Sequence, residues 1–142
     1  MRVYLDANII VSLLNFEQPL FQHSARLISL SDTKRIVFYT SPVALAIAFY
    51  FCSKKYNQKI AKEKMGLLCN KIKIAINLEK DATNIVVDKR INDFEDGLQY
   101  YAAKAARCNC IISEDMEDFY FSDIEVFSTS QFLEKYLARP SR

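Results

Sequence analysis

Residues 1–10 read MRVYLDANII: the apolar run Val3-Tyr4-Leu5 ends on Asp6, and Asn8 follows before apolar residues resume. Three apolar residues flanked by charge read as a short buried strand, and the acid stands at its C-terminal end. Burying a carboxylate alone is costly, so Asp6 must be paired, hydrogen-bonded, metal-bound or solvated. The order of the remaining elements narrows that choice.

Apolar runs and helical periodicities alternate along the chain. After the strand at 2–6, helical stretches are expected near 7–15 and 19–30, then a strand at 35–39. Ser41 is expected at an N-cap with Pro42 at the first helical position, opening a helix to about residue 55. A lysine-rich helix near 57–70, a strand at 72–76 and a helix near 80–90 follow. Asn92 or Asp93 opens a helix to about Arg107, with Phe94, Leu98, Tyr101, Ala102 and Ala105 as its apolar stripe. Cys110–Ile112 and Ile124–Phe127 read as strands. Ser128 and Gln131 form a capping-box pattern before a helix carrying Phe132, Leu133, Tyr136 and Leu137. Strands separated by helices imply crossover connections and a parallel sheet covered on both faces, a three-layer α/β/α architecture.

In such a sheet the strand C-termini and helix N-termini share one edge. Asp6 ends the first strand, Asp93, Glu95 and Asp96 lie in the first turn of a helix, and Asp115 and Asp118 follow the Ile111-Ile112 strand. Each acid alone has a bland reading, as an N-cap, a partner of a helix dipole or a surface residue. Together in one crevice they repel one another unless protonated or neutralised by a cation. An all-oxygen donor set suits Mg²⁺ or Mn²⁺, and an ion held there can bind a phosphodiester and activate water. Asn8 and Ser113 are placed to orient ligands or that water.

Composition bounds the alternatives. The chain has 142 residues, 51% hydrophobic and 25% charged, with 10 Phe, 8 Tyr and only 2 Gly. This suits one folded domain spanning 1–142, with no linker, repeat or low-complexity tract to divide it. The longest strongly apolar stretch, Pro42–Cys52, is too short to span a bilayer. With no signal-peptide pattern, a cytoplasmic location is expected. The four cysteines lack zinc-type CxxC pairs and read as reduced thiols. Net charge is only +2, but its distribution is uneven. Seven lysines (54, 55, 59, 62, 64, 71, 73) lie between residues 54 and 73, and six acids between 111 and 126. The lysines read as a solvated face, or as contacts to a nucleic-acid backbone.

The ordered motifs resemble the PIN domain family. Val3-Tyr-Leu-Asp-Ala-Asn8 resembles its opening D-x-N strand, and Asp93-Phe-Glu-Asp-Gly-Leu-Gln-Tyr-Tyr-Ala-Ala103 its second acidic motif. Ile111-Ile-Ser-Glu-Asp-Met-Glu-Asp-Phe119 resembles its last acidic motif, and Ile124–Leu133 its closing strand and helix. The resemblance implies a five-stranded parallel sheet and a Mg²⁺- or Mn²⁺-dependent ribonuclease of the VapC toxin type. It further implies an RNA substrate, a cognate antitoxin and a homodimer. Asp6 and Asp96 would be the central metal ligands, and Asp115 and Asp118 fall in the last motif, where families differ over the ligand. Ser113 takes that motif's hydroxyl position and Asn8 the polar position beside Asp6. One residue departs: the helix from Ser41 to Ser53 holds no acid where PIN nucleases usually carry Glu, and the equivalent position is Ala46 or Ile47.

That departure supports a second reading, a PIN-like RNA- or protein-binding module with little or no catalysis. A third, an aspartyl phosphotransferase of the haloacid-dehalogenase kind, would need D-x-D. Asn8 occupies the second position and cannot act as a general acid or base. A response-regulator receiver would need a phosphoacceptor Asp after a central strand and a paired acid near the start; neither is evident.

Overall fold

The computed structural model describes residues 1–137, and the last five residues of the chain lie outside them. Five parallel strands, β1 (Arg2–Leu5), β2 (Val37–Thr40), β3 (Lys73–Ile74), β4 (Cys110–Ile112) and β5 (Glu125–Phe127), form one sheet in the order β3-β2-β1-β4-β5. The strand that carries Asp6 is therefore central, pairing with β2 through Val3–Phe38 and with β4 through Tyr4–Ile111. Among the described residues seven α-helices accompany the strands, six between them and one after β5: α1 (Ala7–Asn15), α2 (Leu20–Ser29), α3 (Pro42–Lys55), α4 (Gln58–Cys69), α5 (Asp81–Val87), α6 (Phe94–Ala105) and α7 (Thr129–Leu137).

The pleat of β1 sorts its side chains between two cores. Val3 and Leu5 face one layer, with Leu14 of α1, Ala48 and Cys52 of α3, and Phe132 of α7. Tyr4 faces the other, with Ile85 of α5, Tyr100 and Ala102 of α6, and Phe119. That is the expected three-layer α/β/α arrangement.

Local chemistry sets several boundaries. Asp93 is the N-cap of α6, accepting the Asp96 N–H at 3.0 Å. The capping box forms at α7: Gln131 Oε1 accepts the Ser128 N–H at 3.0 Å, and Ser128 Oγ accepts the Gln131 N–H at 3.2 Å. Asn57 caps α4 by accepting the Ile60 N–H at 2.8 Å.

Elsewhere the structure corrects the sequence reading. The strand expected at 72–76 pairs over only two residues, Lys73 and Ile74, and the helix expected at 80–90 is confined to Asp81–Val87. A 3-10 turn at Met116–Phe119 has no counterpart in the periodicity. Ser41 holds the N-cap position of α3 but makes no capping bond with its side chain. On α6 the buried face is Gly97, Gln99, Tyr100, Ala102 and Ala103, while Phe94 and Ala105 are exposed. Of the expected stripe, Ala102 is buried and Leu98 and Tyr101 pack partly buried against the core; small residues such as Gly97 and Ala103 let the helix dock closely, which apolar size alone does not signal.

The lysine-rich segment also divides. Lys64 Nζ donates to the Leu14 carbonyl at 2.9 Å, Lys55 Nζ donates to the Asn15 carbonyl, and Lys71 pairs with Asp32 at 2.8 Å. Lys54, Lys59, Lys62 and Lys73 are left exposed.

Candidate active site

Asp6 leaves β1 as the N-cap of α1. Its Oδ1 accepts the Ala7 N–H at 2.6 Å and its Oδ2 accepts the Ser113 hydroxyl at 2.5 Å, while Asp6 N donates to the Ile112 carbonyl of β4 at 3.0 Å. The carboxylate is only 5% exposed. Burial pushes its pKa above the ordinary value, while the Ser113 and Ala7 hydrogen bonds pull against that rise. The bonds to Asp6 are thus the kind that a buried carboxylate needs, and they come from adjacent strand ends.

Around Asp6 lies an open crevice of about 380 Å³ at the C-terminal edge of the sheet. Its lining combines the polar side chains of Asp6, Asn8, Glu17, Glu95, Asp96, Gln99, Asp115 and Asp118 with the apolar ones of Val11, Leu20, Ile47 and Phe51. Asp96 is half-buried on the first turn of α6, and its pKa is pushed up to about 7. Burial is the main cause, followed by the charges of Asp93, Asp6, Asp118 and Glu95. Asp118 is also raised, first by desolvation and then by Asp115. Asp115 accepts from Asn8 Nδ2 at 2.9 Å, and its own N–H donates to Ser113 Oγ at 3.0 Å. Ser113 therefore links the first and last acidic segments.

All six residues singled out in the sequence stand at this edge, five of them lining the crevice and Ser113 buried behind Asp6. The donor set fits a hard divalent cation by its chemistry. It consists of oxygens, burial followed by neighbouring like charge raises two of its carboxylate pKa values, and Asn8 Oδ1 is buried there without a hydrogen-bond partner. As placed, no three carboxylate, imidazole or thiolate groups among the described residues stand close enough to hold an ion. Ion binding would require the exposed carboxylates to turn inward and Asp6 to share oxygens already used by Ala7 and Ser113.

Between Ala46 and Ile47, the structure places Ile47 on the crevice wall, with Phe51 one turn further along α3. The face of α3 toward the crevice is apolar. Three residues escaped the sequence reading. Gln99, three places after Asp96, lines the crevice while only 2% exposed. Tyr4, behind Asp6, is a phenol in a buried strand, a placement that normally requires a partner. Glu114 accepts the Thr129 N–H at 2.9 Å and ties the acidic segment to the start of α7.

The motifs, sheet order and crevice together define a PIN domain, and residues 2–117 match the sequence pattern of that family. The chain belongs to the PIN domain family. Its curated relatives include Ribonuclease VapC1 of Aquifex aeolicus (strain VF5), 30% identical over a 139-residue alignment that covers 95% of each chain. Among solved structures it superposes on VapBC2 of Rickettsia felis bound to a DNA fragment from its promoter (TM-score 0.69, 18% identity, 90% of this chain and 98% of that one). VapBC-1 of nontypeable Haemophilus influenzae matches with TM-score 0.67 at 16% identity, over 92% and 99% of the two chains. The sarcin-ricin-loop-cleaving toxin VapC20 of Mycobacterium tuberculosis matches with TM-score 0.60 at 13% identity, over 77% and 86%. At those identities the structural matches establish the fold.

Proposed function

We propose that this chain is a divalent-metal-dependent endoribonuclease of the VapC kind, hydrolysing RNA phosphodiester bonds as the toxin of a toxin–antitoxin pair. The observation that carries the reading is the meeting of Asp6, Asp96, Asp115 and Asp118, from three separate segments, in one crevice. The relationship to Ribonuclease VapC1 gives that crevice its reaction class, and the toxin–antitoxin complexes among the fold relatives support an antitoxin as partner.

Asp6 and Asp96, with Asp115 or Asp118, would hold Mg²⁺ or Mn²⁺. A bound ion of this type neutralises phosphate charge and lowers the pKa of water. The chain's own contribution is to hold the donors. Ser113 fixes Asp6 and receives the Asp115 N–H, while Asn8 fixes Asp115. Val11, Leu20, Ile47 and Phe51 contribute the apolar part of the crevice lining. Exposed Lys54, Lys59 and Lys62 supply positive charge for the RNA backbone.

The wider reading is one PIN domain acting in the cytoplasm as a homodimer. No described helix is long and apolar enough to cross a membrane. Ile76, Val86 and Val87, each about 70% exposed, give the dimer an apolar surface to cover.

Incubating the protein with labelled single-stranded and structured RNAs in Mn²⁺, Mg²⁺ or EDTA tests the activity. Metal-dependent cleavage that disappears in the Asp6→Asn, Asp96→Asn double variant is expected. Ile47 favours a second reading, an RNA- or protein-binding module without catalysis, and RNA binding that tolerates EDTA with no cleavage by folded wild type would establish it.

A further inference from the structure

From the crevice inward, three polar side chains that the chemistry above does not use form one buried line of hydrogen bonds. Tyr4 comes from β1, Ser41 from the start of α3 and Gln99 from α6, and none is more than 2% exposed. The Ser41 and Tyr4 hydroxyl oxygens are 2.6 Å apart, and Tyr4 O–H donates to Gln99 Oε1 at 3.2 Å. A phenol has one hydrogen, so the Ser41 hydroxyl is the donor to Tyr4. Gln99 Oε1 also accepts the Ala7 N–H at 3.0 Å, the same N–H that Asp6 Oδ1 accepts at 2.6 Å. One backbone amide is thus gripped by the acid of β1 and by the amide side chain of α6.

We infer that Tyr4, Ser41 and Gln99 form a strut that fixes Asp6 relative to Asp96 and to the N-terminus of α3, with Gln99 as the positioning residue at its centre. Gln99 lies three places from Asp96, so both project from one side of α6. Fixing Gln99 against Ala7 therefore fixes the distance from the Asp96 turn to the Asp6 turn. Ser41 extends the same line to α3, and it does so at a local cost. An N-cap serine normally accepts an N–H of its own helix, whereas Ser41 makes no such bond and turns its hydroxyl to Tyr4. A merely space-filling core would use apolar side chains here. Directional bonds in a dry interior instead specify one arrangement of the three elements.

The inference rests on the proposed metal site, because cation affinity is where misplacing Asp6 is felt. Wild type, Gln99→Met and Tyr4→Phe are titrated with Mn²⁺ in the absence of RNA, and exchange of the Ala7 amide is followed by NMR in EDTA. Gln99→Met keeps volume while removing the acceptor, and Tyr4→Phe removes only the bridging hydroxyl. Outer residues that orient ligands typically change metal affinity by about 10- to 100-fold. The Mn²⁺ Kd is expected to rise about tenfold in Gln99→Met and less in Tyr4→Phe, with faster Ala7 exchange in both. RNA cleavage should lose kcat while KM holds. Unchanged Mn²⁺ affinity and unchanged Ala7 exchange in the folded variants would overturn the strut. If Gln99→Met does not fold, Tyr4→Phe decides on the same two readouts. Failure of wild type to bind Mn²⁺ would instead overturn the metal reading, and Ala7 exchange alone would then decide the strut.

Discussion

A Cβ placed on Gly97 would lie 2.9 Å from both Cγ1 and Cγ2 of Ile85 and 3.0 Å from Cγ2 of Ile91, so α6 meets α5 through a bare backbone. Gly97 adjoins Asp96, so this close approach seats the acidic turn at the crevice. Gly97→Ala forces Ile85 and Ile91 aside and is expected to cost about 1–3 kcal/mol by overpacking. Gly66 is the control. It lies inside α4 with nothing within 4 Å of an added Cβ, so Gly66→Ala should stabilise by about 0.5–1 kcal/mol. Urea unfolding of the two variants should move the midpoint in opposite directions.

Asp96 makes the metal-free protein sensitive to pH. Its folded pKa is about 7, against about 3.9 for an unfolded aspartate. The folded state therefore holds a proton that the unfolded state has already lost, and stability declines as pH rises from about 4 through 7. In EDTA, Asp96→Asn should match wild type near pH 4 and exceed it at pH 8. The side chain is half-exposed, so solvent screening reduces the difference to about 1–2 kcal/mol. Thermal melts of both proteins across that range check the sign. Greater stability of wild type at pH 8 would contradict the raised Asp96 pKa that burial and the neighbouring carboxylates produce.

The four thiols should separate by reactivity. Cys69 is exposed, whereas Cys52, Cys108 and Cys110 are buried. Burial pushes Cys108 and Cys110 up to about 12 and also raises Cys52. Thiolate is the reactive species, so a disulfide reagent at pH 8 should titrate one fast thiol per native chain and four after denaturation. A second fast thiol would mean that the packing around Cys52 on α3, or around Cys108 and Cys110 at β4, opens readily.

The lysines expected from the sequence to meet RNA should fall into two groups. Lys64 reaches the Leu14 carbonyl at the C-terminal end of α1 and lies 3.9 Å from the Phe16 ring centroid and 4.4 Å from that of Tyr56. Lys64→Met loses a charge at a helix C-terminus and two cation–π contacts, and should cost about 1–2 kcal/mol. Lys59 and Lys62 are exposed. Replacing both by alanine should change stability by less than about 0.5 kcal/mol while weakening RNA binding and flattening its salt dependence. Urea unfolding and RNA binding over a salt series separate the two effects.

The acids were legible because each breaks a local pattern. Asp6 ends an apolar strand, Asp93 and Asp96 open a helix, and Asp115 and Asp118 follow the apolar run Cys110–Ile112. Parallel topology then brings such positions to one edge without any knowledge of distances. What the sequence hid depends on tertiary geometry. Tyr4 and Gln99 are 95 positions apart and carry no spacing signal, and Ser41 looked like an ordinary cap although its hydroxyl bonds across to β1. The stripe read on α6 holds at Ala102 and, partly buried, at Leu98 and Tyr101; it misses Gly97 and Ala103, whose burial depends on their being small. The lysines between 54 and 73 formed one charge run in the sequence, yet Lys55 and Lys64 turn inward to the end of α1.

Ile47 offers the sharpest test of the site. The resemblance to PIN nucleases places a carboxylate at this part of α3, and the chain instead presents Ile47 and Phe51 to the crevice. Ile47→Glu adds a carboxylate to the crevice that Asp96 lines. In EDTA it should lower stability above neutral pH, because one more carboxylate joins a group whose charges already raise the Asp96 and Asp118 pKa values. In Mn²⁺ the same charge becomes a ligand, so affinity should rise and the EDTA deficit should be recovered by metal binding. Melting curves with and without Mn²⁺ read both effects in one experiment, and RNA cleavage by wild type and variant adds the functional consequence. Metal-dependent stabilisation that grows in Ile47→Glu, together with faster cleavage, would make this a nuclease lacking one optional ligand. Loss of stability in EDTA with no gain in Mn²⁺ would mean that the α3 face does not reach the ion, and that Asp6, Asp96 and the Asp115–Asp118 segment must supply the protein ligands by themselves.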